Sequence, residues 1–294
     1  MCDKIERKKE NKKTKRQMNV INRFTCSHGQ LEKSILRLKS RRMPPIIDYI
    51  KESYHVDNAM EIKEKMYLYP NNHFALKLSA LGIREKEEKC MAQVEKIIEC
   101  ALENECTVLI DAEEHAIQGH IDGITDHMME AYNGMNPCVY KTYQMYKKDA
   151  PEKLRDDLCK ARNYSLGVKL VRGAYLKKDK SMGVLCNNEE MTHAQYNQAI
   201  ADFAYQHKKK DKLLCATHNV RSIHIARHYM KESKLCNVEF AQLMGMSDAL
   251  SEYLQRSGYK VYKYLPYGRL YESVPYLTRR LYENIHMLKY INHF

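Results

Sequence analysis

The chain has 294 residues, 44% of them apolar and 29% charged, with no tryptophan and a formal net charge of +12. That length and apolar share exclude a disordered chain and leave ample room for a single α/β barrel. The charge is unevenly placed: residues 1–43 hold 14 Lys and Arg against 4 Asp and Glu, a net +10, so residues 44–294 carry only +2, and a general nucleic-acid surface on the bulk of the chain is not expected.

Residues 1–43 read as a basic, flexible N-terminal arm, and residues 44–294 as the catalytic unit. Lys4, Arg7, Lys8, Lys9, Lys12, Lys13, Lys15 and Arg16 give the arm its charge, but Asp3, Glu6 and Glu10 interrupt it. Transit peptides are poor in acidic residues, so the arm is a weak targeting signal and reads equally well as a solvated tail. The ten cysteines show no CxxC pair and no regular spacing, which argues against a zinc knuckle or a disulfide scaffold. No apolar run reaches the length of a membrane span.

From Pro44 onward, short apolar stretches alternate with amphipathic ones. A strand over 46–50 opens the motif IIDYIKES (46–53), and a helix follows over 57–66. The next strand, 73–78, carries ALKLSAL (75–81) and ends at Lys77. The helix over 85–103 is the clearest, with Met91, Val94, Ile98, Ala101 and Leu102 at helical spacing. A strand over 106–111 runs into LIDAEEH (109–115), with Asp111 and Glu113 at its end, then a helix over 113–132. The strand over 138–142 belongs to VYKTYQMY (139–146), which brings Gln144, and precedes a helix over 152–163. GVKLVRGAYL (167–176) predicts a strand over 167–175 containing Lys169, Arg172, Gly173, Ala174 and Tyr175, then a helix over 191–208. CATHNVRS (215–222) closes a strand over 213–217 with Thr217, His218 and Asn219, before a helix over 221–234. FAQLMGM (240–246) ends a strand over 238–243 at Leu243, before a helix over 248–257. YLPYG (264–268) ends the last strand, 260–265, at Tyr264. The last helix, 274–289, carries YLTRRLYEN (276–284).

Eight strands and eight helices in alternation predict a closed parallel (β/α)8 barrel. Chemistry in such barrels sits where the strands stop, and almost every strand here stops on polar, charged or aromatic residues. The last helix is the most pointed signal. Tyr276 lies three residues before Arg279 and Glu283 four after it, so they occupy neighbouring faces. Arg279 and Arg280 together make a fork of donors that suits a carboxylate or phosphate. An Arg-Arg pair alone is more often a solvated helix face. No GxGxxG or P-loop signature is present, which argues against a Rossmann-type cofactor site. His224 and His228 have the i, i+4 spacing of metal ligands but lack an adjacent Glu and a third ligand.

The nine motifs, in this order and spanning about residues 44–288, closely resemble the proline dehydrogenase family, and KLVRGAY is the form more like its eukaryotic members. The resemblance implies a distorted (β/α)8 TIM-type barrel with FAD bound noncovalently across the carboxyl rim. It implies oxidation of L-proline to 1-pyrroline-5-carboxylate, with electrons passed to a quinone. Proline C5 must then rest against flavin N5. By the same resemblance, Arg279, Arg280 and Lys77 anchor the substrate carboxylate, and Glu283 closes the site by ion pairing. Tyr264 and Tyr276 wall the ring with Leu243 as an apolar neighbour, and a residue as large as Tyr264 fits proline rather than hydroxyproline. Lys169 and Arg172 are the candidate cations beside the flavin, the choice between them being open. Gly173, Ala174 and Tyr175 line the same rim, and Gln144 offers its amide to the ring edge. Thr217, His218 and Asn219 face the adenosine or pyrophosphate end, while Asp111 and Glu113 orient the basic groups. Mitochondrial placement with peripheral membrane contact follows by analogy, with a cytoplasmic location as the alternative because of the weak arm signal. Two other readings stay open: a barrel without turnover whose arm binds nucleic acid or an anionic membrane, and an oxidase of hydroxyproline.

Overall fold

The computed structural model describes residues 23–51, 53–233, 235 and 237–269. Its eight strands are β1 (Pro45–Tyr49), β2 (His73–Leu76), β3 (Thr107–Ile110), β4 (Val139–Gln144), β5 (Gly167–Val171), β6 (Lys212–Ala216), β7 (Val238–Leu243) and β8 (Val261–Tyr267). They form a closed barrel in sequence order. All neighbouring strands are parallel, and β1 closes on β8 in a register that runs from Pro45 opposite Lys263 to Tyr49 opposite Tyr267. Closure leaves no free sheet edge.

The strands are apolar on both faces because both faces are covered. Their inward side chains, Ile46, Ala75, Leu109, Tyr140, Leu214, Ala241, Tyr262 and Tyr264, pack together as a plug inside the barrel. Their outward side chains join the larger core beneath the helices. The barrel is therefore a filled cylinder.

The helices among the described residues are α1 (Leu31–Ser40), α2 (Asn58–Leu68), α3 (Glu87–Glu103), α4 (His115–Tyr132), α5 (Ala150–Cys159), α6 (Leu176–Lys180), α7 (Glu189–Gln206), α8 (Val220–Glu232) and α9 (Asp248–Arg256). The predicted helix over 274–289 lies outside the described residues. In α3 the buried face is Cys90, Val94, Ile97, Ile98 and Ala101, whereas Met91 and Leu102 are exposed. Val94, Ile98 and Ala101 of the expected stripe are therefore buried, and the remaining buried positions are Cys90, Ile97 and Cys100 in place of Met91 and Leu102, cysteine packing as a small hydrophobe.

Two boundaries differ from the sequence reading. The basic arm of residues 1–43 is not a separate unit over its second half. Leu31, Ile35 and Leu38 bury one face of α1, Cys26 pairs with Tyr267 beside β8, and Arg41 makes an ion pair with Glu252 on α9. The basic composition of this segment hid a three-residue apolar stripe, since its lysines and arginines occupy the other faces. The strand predicted over 167–175 also stops early, at Val171. Gly173 has φ +144, which breaks the extended path, and Arg172 to Tyr175 turn across the rim instead.

Candidate active site

Side chains alternate across a strand, so the inward position two residues beyond each plug residue lies at the carboxyl rim. This rule lifts Asp48 above Ile46, Lys77 above Ala75, Asp111 above Leu109 and Leu243 above Ala241, and Lys169 two residues beyond Gly167 joins them. The result is a buried layer of charge. Lys77 Nζ donates to Asp48 and lies 3.7 Å from Asp111 Oδ2. Lys169 Nζ donates to Asp111 Oδ1 at 2.5 Å. The Tyr264 hydroxyl donates to Asp111 Oδ2 at 2.7 Å, and Lys169 Nζ stands 5.1 Å from the centre of the Tyr264 ring.

Asp48, Lys77, Asp111 and Lys169 are all buried, and their formal charges cancel. That balance makes the layer tolerable in a low dielectric. Burial by itself raises the Asp111 carboxyl, but Lys169 and Lys77 outweigh it and hold the group near 2. Asp111 is therefore an ionised hinge between two lysines and a tyrosine at ordinary pH, as expected of a residue that orients basic groups. Lys77, expected beside the arginines as a carboxylate anchor, sits in the same layer with its ammonium directed at Asp48.

A second set ties the rim turns together through Glu113, which is also buried. Its carboxylate accepts from the Ser79 backbone N–H at 2.9 Å, from the Ser79 hydroxyl, and from the Tyr175 hydroxyl at 3.4 Å. Its carbonyl accepts from Gln144 Nε2 at 2.8 Å, and Gln144 Oε1 accepts from the Ala174 N–H at 3.3 Å. The Gln144 amide, predicted at the flavin edge, is thus engaged at both ends with backbone. Gly173 is obligatory: a Cβ there would fall 1.9 Å from the Tyr146 ring.

Lys169 and Arg172 part company, as residues on either side of a strand end should. Lys169 enters the barrel. Arg172 turns outward toward α7 and α8, where its Nε donates to His193 Nδ1 at 2.9 Å, Nη1 to the Thr217 hydroxyl at 2.7 Å and Nη2 to the Ser222 hydroxyl at 2.9 Å. Its guanidinium lies 4.4 Å from the Tyr196 ring centre. No carboxylate among the described residues pairs with it. Burial lowers its pKa from the usual arginine value, and the charge of Glu189 acts against that shift.

Thr217, His218 and Asn219 stand beside it. The Asn219 side chain caps α8 by accepting from the Ser222 N–H at 3.0 Å. Thr217 Oγ1 accepts from the Asn219 N–H at 3.0 Å as well as from Arg172. His218 Nε2 accepts from the Leu243 N–H at 3.3 Å. Burial, with Lys263 and Arg172 nearby, lowers the ring to about 3, so it is neutral and its proton sits on Nδ1. That Nδ1 is buried with no partner among the described residues, a donor free to meet a further acceptor.

Tyr276, Arg279, Arg280 and Glu283 lie outside the described residues. Asp48, Ser79, Tyr146, His193 and Ser222 were not singled out as site residues. Asp48 was within reach of the alternation rule, two residues beyond Ile46. The others come from turns and helices whose proximity no local pattern encodes.

The family model of proline dehydrogenase matches residues 7–293. The chain belongs to the proline dehydrogenase family. It is 33% identical over 225 residues to proline dehydrogenase 1, mitochondrial, of Homo sapiens, a match covering 70% of this chain and 37% of that one. It is 35% identical over 213 residues to the hydroxyproline dehydrogenase of Xenopus laevis, covering 67% of this chain and 46% of that one. The chain therefore spans between about a third and a half of the length of these relatives. Among solved structures, proline utilization A (PutA) of Bdellovibrio bacteriovorus, inactivated by N-propargylglycine, superposes with a TM-score of 0.81 at 18% identity, covering 91% of this chain and 33% of that one. The barrel is thus the proline dehydrogenase barrel, with its charged rim in the place where this fold does its chemistry.

Proposed function

We propose that this chain oxidises L-proline to 1-pyrroline-5-carboxylate, with FAD as the bound oxidant and a quinone as the final acceptor. The observation that carries the reading is the buried layer at the carboxyl rim, in which Asp111 joins Lys169, Lys77 and Tyr264. The described residues fit FAD in two respects. His218 presents an orphaned Nδ1–H, and Arg172 presents a cation whose hydrogen-bond partners are all neutral. Both suit the anionic and acceptor-rich parts of such a cofactor.

When bound, FAD supplies the isoalloxazine that takes the hydride from proline C5. The protein's part is orientation and charge. Arg279, Arg280 and Lys77 anchor the substrate carboxylate, and Glu283 offsets the cationic cluster and closes the site by ion pairing. Tyr264 and Tyr276 wall the ring and Leu243 gives it an apolar neighbour. The Tyr264 hydroxyl is fixed by Asp111, so the ring holds a set position. Lys169, which is paired with Asp111, and Arg172 are the candidate cations that would favour negative charge on a flavin held beside them.

Hydroxyproline is the competing substrate, since a hydroxyproline dehydrogenase matches as well as the proline enzymes do. The bulk of Tyr264 favours proline. Relatives carry the name mitochondrial, and mitochondrial placement is proposed on that basis; peripheral membrane contact is proposed by analogy with the family alone. The deciding experiment is an anaerobic flavin spectrum of purified protein. Yellow protein that bleaches with L-proline and stays oxidised with hydroxyproline is expected. Protein that remains colourless after FAD supplementation overturns the reading, and bleaching by hydroxyproline alone reassigns the substrate.

A further inference from the structure

We infer that Asp179 is a positioning residue for the flavin-facing rim, its buried carboxylate fixing the turn of Gly173, Ala174 and Tyr175 against the turns that carry Glu113 and Gln144. The inference rests on the flavin reading above.

Asp179 sits on α6, a five-residue surface helix. Its neighbours Lys177, Lys178 and Lys180 are exposed, yet Asp179 itself is 0% exposed. A carboxylate is not buried under a surface helix without strong compensation. It has partners on two other segments. Oδ1 accepts from the backbone N–H of His115, the first residue of α4, at 2.8 Å. Oδ2 accepts from the Tyr146 hydroxyl at 2.5 Å, and Lys147 Nζ lies 3.7 Å from it.

Each partner leads to the rim. α4 begins directly after Asp111 and Glu113. Its own N-cap residue, Glu114, makes no capping bond, because that carboxylate pairs with Arg84 and Lys178. Asp179 supplies the missing acceptor from another turn of the barrel and adds a negative charge at the positive end of α4. Tyr146 follows Gln144 by two residues, and its ring occupies the space beside Gly173 where a Cβ would otherwise stand. Thus Asp179 holds the Tyr146 hydroxyl, the Tyr146 ring seats Gly173, and the Ala174 N–H and Tyr175 hydroxyl complete the turn on Gln144 and Glu113. Without Asp179, the Tyr146 hydroxyl loses this hydrogen bond and the buried Lys147 loses the anion 3.7 Å from its ammonium.

The test compares the full chain with Asp179→Ala, Asp179→Asn and Tyr146→Phe. The readouts are FAD affinity by fluorescence titration, visible circular dichroism of the bound flavin, KM and kcat for L-proline, and the rate of tryptic cleavage after Lys177, Lys178 and Lys180. Asp179→Ala is expected to weaken FAD binding about tenfold or more, change the flavin dichroism, lower kcat more than it raises KM, and speed cleavage. Asp179→Asn and Tyr146→Phe should move the same readouts in the same direction by less. If the alanine variant does not fold, the milder pair decides. A yellow wild type whose variants bind FAD within twofold, with unchanged dichroism, overturns this inference alone. A wild type that never binds FAD overturns the functional reading and this inference together.

Discussion

Asp111 serves three partners with two oxygens, so its loss should be felt beyond one bond. Asp111→Asn leaves two lysines buried with one remaining anion between them. Breaking a buried ion pair from one side typically costs about 3–5 kcal/mol, and a drop of that size in urea-unfolding free energy is expected; a change under about 1 kcal/mol would mean that the layer is open to water. Tyr264 tests the other side of the same contact. Tyr264→Ser removes the wall and the hydroxyl's bond to Asp111, and should raise kcat/KM for hydroxyproline relative to proline. An unchanged ratio would take the wall assignment away from Tyr264. Arg172 makes three directed bonds from one planar fork, which lysine cannot reproduce. Arg172→Lys should therefore weaken FAD binding by about 1.5–3 kcal/mol, read as a shift in the titration midpoint.

At the level of elements, the informative piece is α1. The chain was expected to begin its folded part at Pro44, yet α1 lays Leu31, Ile35 and Leu38 on the barrel. Ile35 is 3% exposed. Ile35→Ala should lower stability by about 2–5 kcal/mol through lost burial and a residual cavity. A flexible arm would show no effect, so the urea midpoint separates the two descriptions. The strands were far more legible than this helix. Eight apolar runs, each buried on both faces, announce a covered parallel sheet, whereas three apolar positions among many basic ones announce little. The Gly173 turn was read as strand because Val-Arg-Gly-Ala-Tyr is mostly extended in character; only the close packing of Tyr146 makes the turn necessary.

For the molecule as a whole, acid is the expected weakness. Burial, with cations nearby, holds His73 and His218 down to about 3, against an ordinary value near 6.5. Below 6.5 the unfolded chain binds protons that the folded one refuses. Stability from these rings is therefore complete above pH 6.5 and declines as pH falls toward 3. The decline is at most about 2 kcal/mol per ring between pH 6.5 and 5. Asp111, held near 2, extends the loss below the ordinary carboxyl range as pH falls toward 2. Urea unfolding of the apoprotein at pH 7 and pH 5 should show the first part, and a flat profile would place both rings in contact with solvent.

Local chemistry in the chain was enough to specify a closed parallel barrel, a loaded carboxyl rim and a family, because alternation, strand ends and motif order are properties of neighbouring residues. The charge balance of the rim was not available in that way. That Asp48 and Asp111 neutralise Lys77 and Lys169, that Arg172 turns outward while Lys169 turns inward, and that Asp179 reaches α4 and Tyr146 depend on segments brought together by barrel closure. Electrostatic balance in a buried layer is set by distances through space, and only the folded chain assigns those distances.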